Sequence, residues 1–220
     1  MMKSLYIIII CFFVLQTNFA QNKYFIGINV SPSLSFAVIN HKSDFLEESL
    51  NLSFGINGLC SFNDNFFIGT GMRFIQNSFS INNIPDLRNT LIDLDNYNQI
   101  STFNSTETYQ SINLPLTLYY NLFGEEKTSI ILFGGIEIGY LFRVNYKYDY
   151  SNGNLETYSR NHNDLIGSFD FGAGLYQQLS GNFLLIITPK YSYALYPKRG
   201  KYDFGFHTFN LDSVLYYQLN

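Results

Sequence analysis

The sequence predicts an all-β fold, an eight-stranded antiparallel up-and-down β-barrel that spans a membrane. Apolar and small polar residues alternate with period two in eight segments, which is typical of strands with two unlike faces. Tight polar turns alternate with longer polar segments between these strands, as they do in transmembrane barrels. Only 14% of the residues are charged and 18% are aromatic. A soluble domain carries more charge, so we expect much of the exterior to face lipid.

The eight predicted strands each carry one apolar row and one row of small or polar residues. They cover residues 24–36, 50–57, 68–74, 111–120, 130–143, 169–176, 183–195 and 209–219. Tight turns are predicted at residues 63–65, 124–127 and 180–182. Longer loops are predicted at residues 38–49, 79–108, 145–163 and 197–206. Pro115 and Pro189 fall inside strands, where we expect β-bulges to accommodate them.

The first twenty residues are predicted to be a signal peptide. Lys3 precedes an apolar run from Leu5 to Leu15, and the small residue Ala20 favours cleavage before Gln21. The run is shorter than the roughly 20 residues that a membrane-spanning helix needs. We therefore expect residues 1–20 to direct export and residues 21–220 to form one barrel domain in the outer membrane.

The polar row of the strands is predicted to face the barrel interior. It consists mainly of Gly, Ser, Asn and Thr, whereas the water-facing row of a soluble barrel would carry Lys and Glu throughout. Isolated charges on this row would be costly in a narrow lumen unless they are paired. We expect them to form a structural network that plugs the lumen, and a gated polar path is the alternative. The six predicted members are Arg73, Glu137, Arg143, Asp170, Lys190 and Asp212.

The sequence predicts no catalytic residues, no cofactor and no metal site. His41, His162 and His207 are not spaced as metal ligands. His41 and Ser43 weakly resemble a hydrolase pair, so a membrane-embedded lipid A or peptide hydrolase is the alternative to a non-enzymatic barrel. The net charge of −4 offers no basic surface for nucleic acid.

Several segments resemble the PorT-like outer-membrane β-barrels of Bacteroidetes. These segments are Phe25-Ile26-Gly27-Ile28, Tyr109-Gln110-Ser111-Ile112-Asn113-Leu114-Pro115-Leu116, and the glycine-rich runs at residues 134–139 and 171–175. The resemblance implies a barrel like the transmembrane domain of OmpA, with a structural, binding or secretion-accessory role. Some relatives serve type IX secretion, and no catalytic residues carry over. We expect a monomeric barrel whose partners are outer-membrane lipid and, through its extracellular loops, other envelope or secretion proteins.

Overall fold

The computed structural model describes residues 23–39, 46–85, 102–123, 127–179, 181–195 and 204–219. These residues form nine β-strands. The strands are β1 (Lys23–Ile39), β2 (Leu46–Glu47), β3 (Ser49–Ser61), β4 (Phe66–Pro85), β5 (Thr102–Asn121), β6 (Thr128–Tyr150), β7 (Leu155–Gln178), β8 (Phe183–Leu195) and β9 (Phe204–Leu219). No helix long and apolar enough to cross a membrane occurs within the described ranges.

Eight of these strands close into a ring, which confirms the predicted eight-stranded antiparallel barrel. Each strand of the ring pairs antiparallel with the strands before and after it, and β1 pairs with β9 to complete the circle. The two-residue strand β2 pairs with β4 beyond the last β3 pairing, at Leu46–Ile81 and Glu47–Ser80. It therefore prolongs the β3 side of the sheet and adds no ninth strand to the ring.

The strand ends that border the three predicted tight turns lie together at one end of the barrel, which we call the turn end. In the turn between β3 and β4, the side-chain oxygen of Asn63 accepts hydrogen bonds from the backbone N–H groups of Asn65 and Phe66, at 2.9 and 2.8 Å. Such an Asx turn substitutes a side chain for a backbone acceptor. Between β7 and β8, Gly181 has φ +67°, a conformation that glycine adopts without steric cost.

The predicted loop at residues 145–163 is wrong, because β6 and β7 continue through it. Their register runs up to the Asp149–Leu155 pair, and only residues 151–154 connect the two strands. The polar composition of this region led to the loop prediction, but strands in water are polar on both faces. Here Tyr146 stacks on Tyr158 across the strands with ring centroids 4.6 Å apart, the kind of pair that stabilises a sheet.

The strands also extend into the ends of the other predicted loops. Strand β4 extends to Pro85 and β5 begins at Thr102, so both enter the predicted loop at residues 79–108. Strand β1 likewise ends at Ile39, and β9 begins at Phe204. The end of the barrel that carries these four connections is called the loop end.

The outward side chains form two bands. On β5, Leu114, Leu116 and Leu118 are 52–57% exposed on the outer face. Towards the loop end the same row continues with Gln110 and Thr108, and the change from apolar to polar recurs on β4, β6 and β7. We call the apolar band the belt. The polar sheet above it, formed by residues 76–85, 102–110, 143–150 and 155–163, is called the upper wall.

Prolines inside the strands interrupt the ladder without shifting its register, so the predicted bulges at Pro115 and Pro189 are wrong. Pairing between β4 and β5 keeps the same register on either side of Pro115 and is missing beside it, where proline has no N–H to donate. The hydroxyl of Thr70 donates to the Pro115 carbonyl oxygen at 3.0 Å. Pairing between β7 and β8 is interrupted in the same way beside Pro189.

Candidate functional site

Five of the six predicted charged residues meet at mid-height in the barrel lumen. Each comes from a different strand, and each is 3–6% exposed. Together they form what we call the charge cluster, which consists of Arg73 on β4, Glu137 on β6, Asp170 on β7, Lys190 on β8 and Asp212 on β9. Alternation along each strand puts these side chains on the inner face, and the closed ring then brings them together.

Lys190 lies at the centre of the charge cluster. Its ammonium nitrogen is 3.1 Å from Oδ2 of Asp170, 3.6 Å from Oδ2 of Asp212 and 3.7 Å from Oε2 of Glu137. Arg73 donates from Nη1 to the same Asp212 oxygen at 2.8 Å, so both cations share one carboxylate. Two cations therefore face three carboxylates, which leaves the cluster with a formal charge of −1.

Arg143 is not in the charge cluster, so its predicted inward position is wrong. Ser111 of β5 pairs with Leu141 of β6, whereas the adjacent Gln110 pairs with Arg143. Phe142 is therefore an extra residue, a β-bulge that reverses the alternation of the strand from that point. Arg143 consequently points outwards and is exposed, at the border between the belt and the upper wall.

Small and polar neighbours make room for Arg73 and bind it. A Cβ atom at Gly55 would lie 2.9 Å from Cγ of Arg73 and 2.4 Å from the Met72 carbonyl oxygen, so only glycine fits beside the arginine. With its amide oxygen turned towards Arg73, Asn57 accepts a hydrogen bond from Nη2 at 3.2 Å. A cavity of about 30 Å³ borders Arg73, Glu137 and Lys190, which is enough volume for ordered water.

Two apolar clusters, which we call the lower and upper layers, line the barrel interior on either side of the charge cluster. The lower layer, towards the turn end, contains Phe25, Leu59, Phe67, Tyr119, Ile131, Phe133, Leu184, Ile186, Val214 and Tyr216. The upper layer, towards the loop end, contains Phe79, Tyr109, Leu141, Val144, Tyr146 and Ile166. Neither layer was predicted from the sequence. The signal for the lower one was present, since Tyr119 and Tyr216 interrupt rows of otherwise small polar residues.

A family profile described as "Outer membrane protein beta-barrel domain" matches residues 19–207. The chain belongs to this family. In such barrels short turns face the periplasm and the longer connections face outside. The barrel therefore lies in the outer membrane, with the belt in lipid and the upper wall on the extracellular side.

Solved structures with a similar fold are outer-membrane barrels of low sequence identity. A major outer membrane protein of Thermus thermophilus is 9% identical, with 90% of this chain and 100% of that chain covered and a TM-score of 0.48. The Neisserial surface protein A is 9% identical, with coverage of 89% and 97% and a TM-score of 0.44. Ail of Yersinia pestis is 16% identical, with coverage of 89% and 99% and a TM-score of 0.41. No curated protein sequence is significantly similar to this chain.

Proposed function

We propose that this outer-membrane barrel is neither a channel nor an enzyme, and that it acts by binding partners through its extracellular upper wall. The observation that carries the proposal is the filling of the lumen. A charge cluster with mutual ion pairs lies between two apolar layers. An eight-stranded barrel is just wide enough for its own side chains, so the exterior is left as the place where function resides.

The pore alternative is disfavoured by the arrangement of the charge cluster. A conducting path needs charges that can be hydrated by a continuous column of water. Here Lys190 contacts three carboxylates within 3.7 Å. Opening a path would require these contacts to separate together.

The hydrolase alternative finds little support in the described residues. His41 and Ser43 lie outside them. His162 does contact Asp164, with Nδ1 2.9 Å from Oδ2, which is the orienting half of a catalytic triad. Its other nitrogen, Nε2, is buried and has no hydrogen-bond partner, so no described hydroxyl is within reach of activation by this histidine.

The resemblance to PorT-like barrels supports a more specific proposal. It assigns the protein an accessory role in secretion or in envelope integrity, as a monomer that contacts envelope or secretion proteins. The upper wall supports such a role, because a sheet that rises above the membrane offers surface without adding to the lumen.

Conductance and lipid analysis test this proposal. Purified full-length protein in planar bilayers should give no steady openings under conditions in which a water-filled porin conducts. Cells that overproduce the protein should contain unchanged lipid A by mass spectrometry. Steady openings would contradict the closed lumen, and altered lipid A would contradict the non-enzymatic role.

A further inference from the structure

The upper part of β7 has a backbone edge with no neighbour among the described residues. On one side β7 pairs with β6 over its whole length, up to Leu155. On the other side it pairs with β8 only from Gln178 to Gly167, where β8 ends at Leu195. Residues 155–161 are exposed on both faces of the sheet. This stretch is called the open edge.

The hydrogen-bonding pattern shows which residues serve the open edge. Across the β6–β7 hairpin the N–H of Tyr150 donates to the carbonyl of Asn154 at 2.9 Å. Even-numbered residues of upper β7 therefore direct their N–H and C=O groups towards β6, because these directions alternate along a strand. Odd-numbered residues direct their N–H and C=O groups to the opposite side of β7, away from β6 and within the plane of the sheet. Among the residues that the structure describes, the donors and acceptors of the open edge that face no strand are thus those of Leu155, Thr157, Ser159 and Asn161.

A continuation of β8 and β9 would be too short to cover the open edge. Eight residues, 196–203, join β8 to β9. If they continued both strands, four would run up and four down, which spans about 13 Å at roughly 3.3 Å per residue. From the last β7–β8 pair at Gly167, such a continuation reaches only to residue 163. Residues 155–161 stay beyond its reach.

A second copy in the same membrane does not fit the open edge. Both copies would have β7 running from the outside towards the periplasm, so their edges would meet in parallel. A two-fold axis along the membrane normal would then set each N–H group opposite the same group of the partner rather than opposite a carbonyl. The edge therefore suits a chain that approaches from outside and is free to choose its direction.

We infer that the open edge binds an extended polypeptide segment of an extracellular partner, which adds to β7 as an antiparallel strand. Strand addition of this kind draws affinity from backbone hydrogen bonds and specificity from alternate side chains. The inference rests on the proposed extracellular binding function and names its partner class. A long exposed edge is otherwise a liability that proteins cover or shorten.

The faces of upper β7 indicate the side chains that this segment carries. On the inner face, Tyr158 is 50% exposed, stacks on Tyr146 and shares a 3.0 Å hydrogen bond with Tyr148. Aromatic residues of an added strand would continue this row of rings. On the outer face Thr157 and Ser159 are small and uncharged. The expected segment therefore alternates aromatic with small polar residues.

A peptide-binding experiment tests the inference. Full-length protein in lipid vesicles is titrated into a fluorescein-labelled peptide of twelve residues in which Thr and Tyr alternate, and anisotropy is measured. Thr157→Pro removes an edge donor and places a ring at the edge, while the bonds to β6 remain. We expect this variant to weaken binding at least about ten-fold, and the control Thr157→Val to stay within about two-fold.

Two further measurements separate strand addition from simple aromatic contact. Peptide N-methylated at its threonines, which would face Thr157 and Ser159, should bind at least about ten-fold more weakly. In amide exchange followed by NMR, the unmethylated peptide should slow exchange at Thr157, Ser159 and Asn161 and leave Tyr158 and Arg160 unchanged.

Equal binding of the methylated peptide, or protection that does not alternate, would overturn the inference. The absence of any binding by the alternating peptide would also overturn it. None of these results bears on the proposed function, which is tested by the absence of steady openings in planar bilayers and by unchanged lipid A. If Thr157→Pro does not give the heat-modifiable migration of a folded barrel, the methylated peptide and the exchange pattern decide by themselves.

Discussion

Replacing Lys190 by methionine measures how much the charge cluster stabilises the barrel. Methionine keeps the length and apolar stem of lysine and removes the ammonium group. Lys190 is 6% exposed, and its ammonium nitrogen lies 3.1, 3.6 and 3.7 Å from three carboxylate oxygens. The variant leaves Glu137, Asp170 and Asp212 with Arg73 alone, and the formal charge of the cluster falls from −1 to −2.

The distances set the size of the effect. At an effective dielectric constant of about 20, each of the three contacts is worth about 5 kcal/mol. Desolvation of the buried ammonium group and its repulsion from Arg73 offset most of this attraction. The net loss we expect is about 3–5 kcal/mol, the usual cost of removing one partner of a buried ion pair. Adding Asp170→Asn restores the formal charge to −1 and should recover about 1–3 kcal/mol.

Reversible unfolding by urea in lipid vesicles, followed by tyrosine emission and circular dichroism, gives these free energies. Arg143→Met is the matched control, since Arg143 is also a cation on a strand but lies exposed on the outer face. It should change the free energy of unfolding by no more than about 0.5 kcal/mol. A Lys190→Met variant within that range of the parent would refute the ion-pair argument. An equally large loss in Arg143→Met would refute the bulge that turns Arg143 outwards.

Three further predictions probe the belt and the hairpin above it. Leu116→Arg, in the belt, should lower the free energy of unfolding by about 2–4 kcal/mol in the same assay, whereas Thr108→Arg on the same strand should change it little. Similar losses in the two variants would show that the boundary between belt and upper wall is not the membrane boundary. Gly153 has φ +83°, so Gly153→Ala should cost about 1 kcal/mol, and an unchanged stability would contradict a left-handed residue in the turn. Burial and the hydrogen bond with Tyr158 raise the pKa of Tyr148. The folded state therefore holds that proton more tightly, and the free energy of unfolding should fall as pH rises above about 10. In thermal unfolding, Tyr148→Phe should show a smaller fall between about pH 9 and pH 11.

The strands, the belt and five charged residues could be predicted because one physical rule links them to the sequence. Alternation with period two assigns each residue directly to a face, and it needs no knowledge of neighbouring strands. Arg73 and Asp212 are 139 positions apart, yet the alternation of faces along each strand was enough to assign both to the lumen. Closure of the ring then leaves little choice about which charges meet.

Features that depend on pairing between strands could not be predicted in this way. The bulge at Phe142 exists because β5 and β6 differ by one residue between their paired ends, and nothing in the residues from Leu141 to Arg143 marks it. Polar rows above the belt are equally ambiguous, because the upper parts of β6 and β7 have the composition of a loop. Only the cross-strand partner, such as Tyr158 opposite Tyr146, distinguishes a strand from a loop there.

Two independent features of β7 place the outer boundary of the membrane at the same level. Its outward side chains change from apolar to polar between Leu165 and Asn163, and its pairing with β8 ends at Gly167. An unpaired backbone edge is costly in hydrocarbon, where no water can satisfy it, but it is readily hydrated outside. The barrel can therefore leave β7 open only above the belt. No described strand covers the edge there, so the condition that makes the open edge tolerable also leaves it accessible to an added strand.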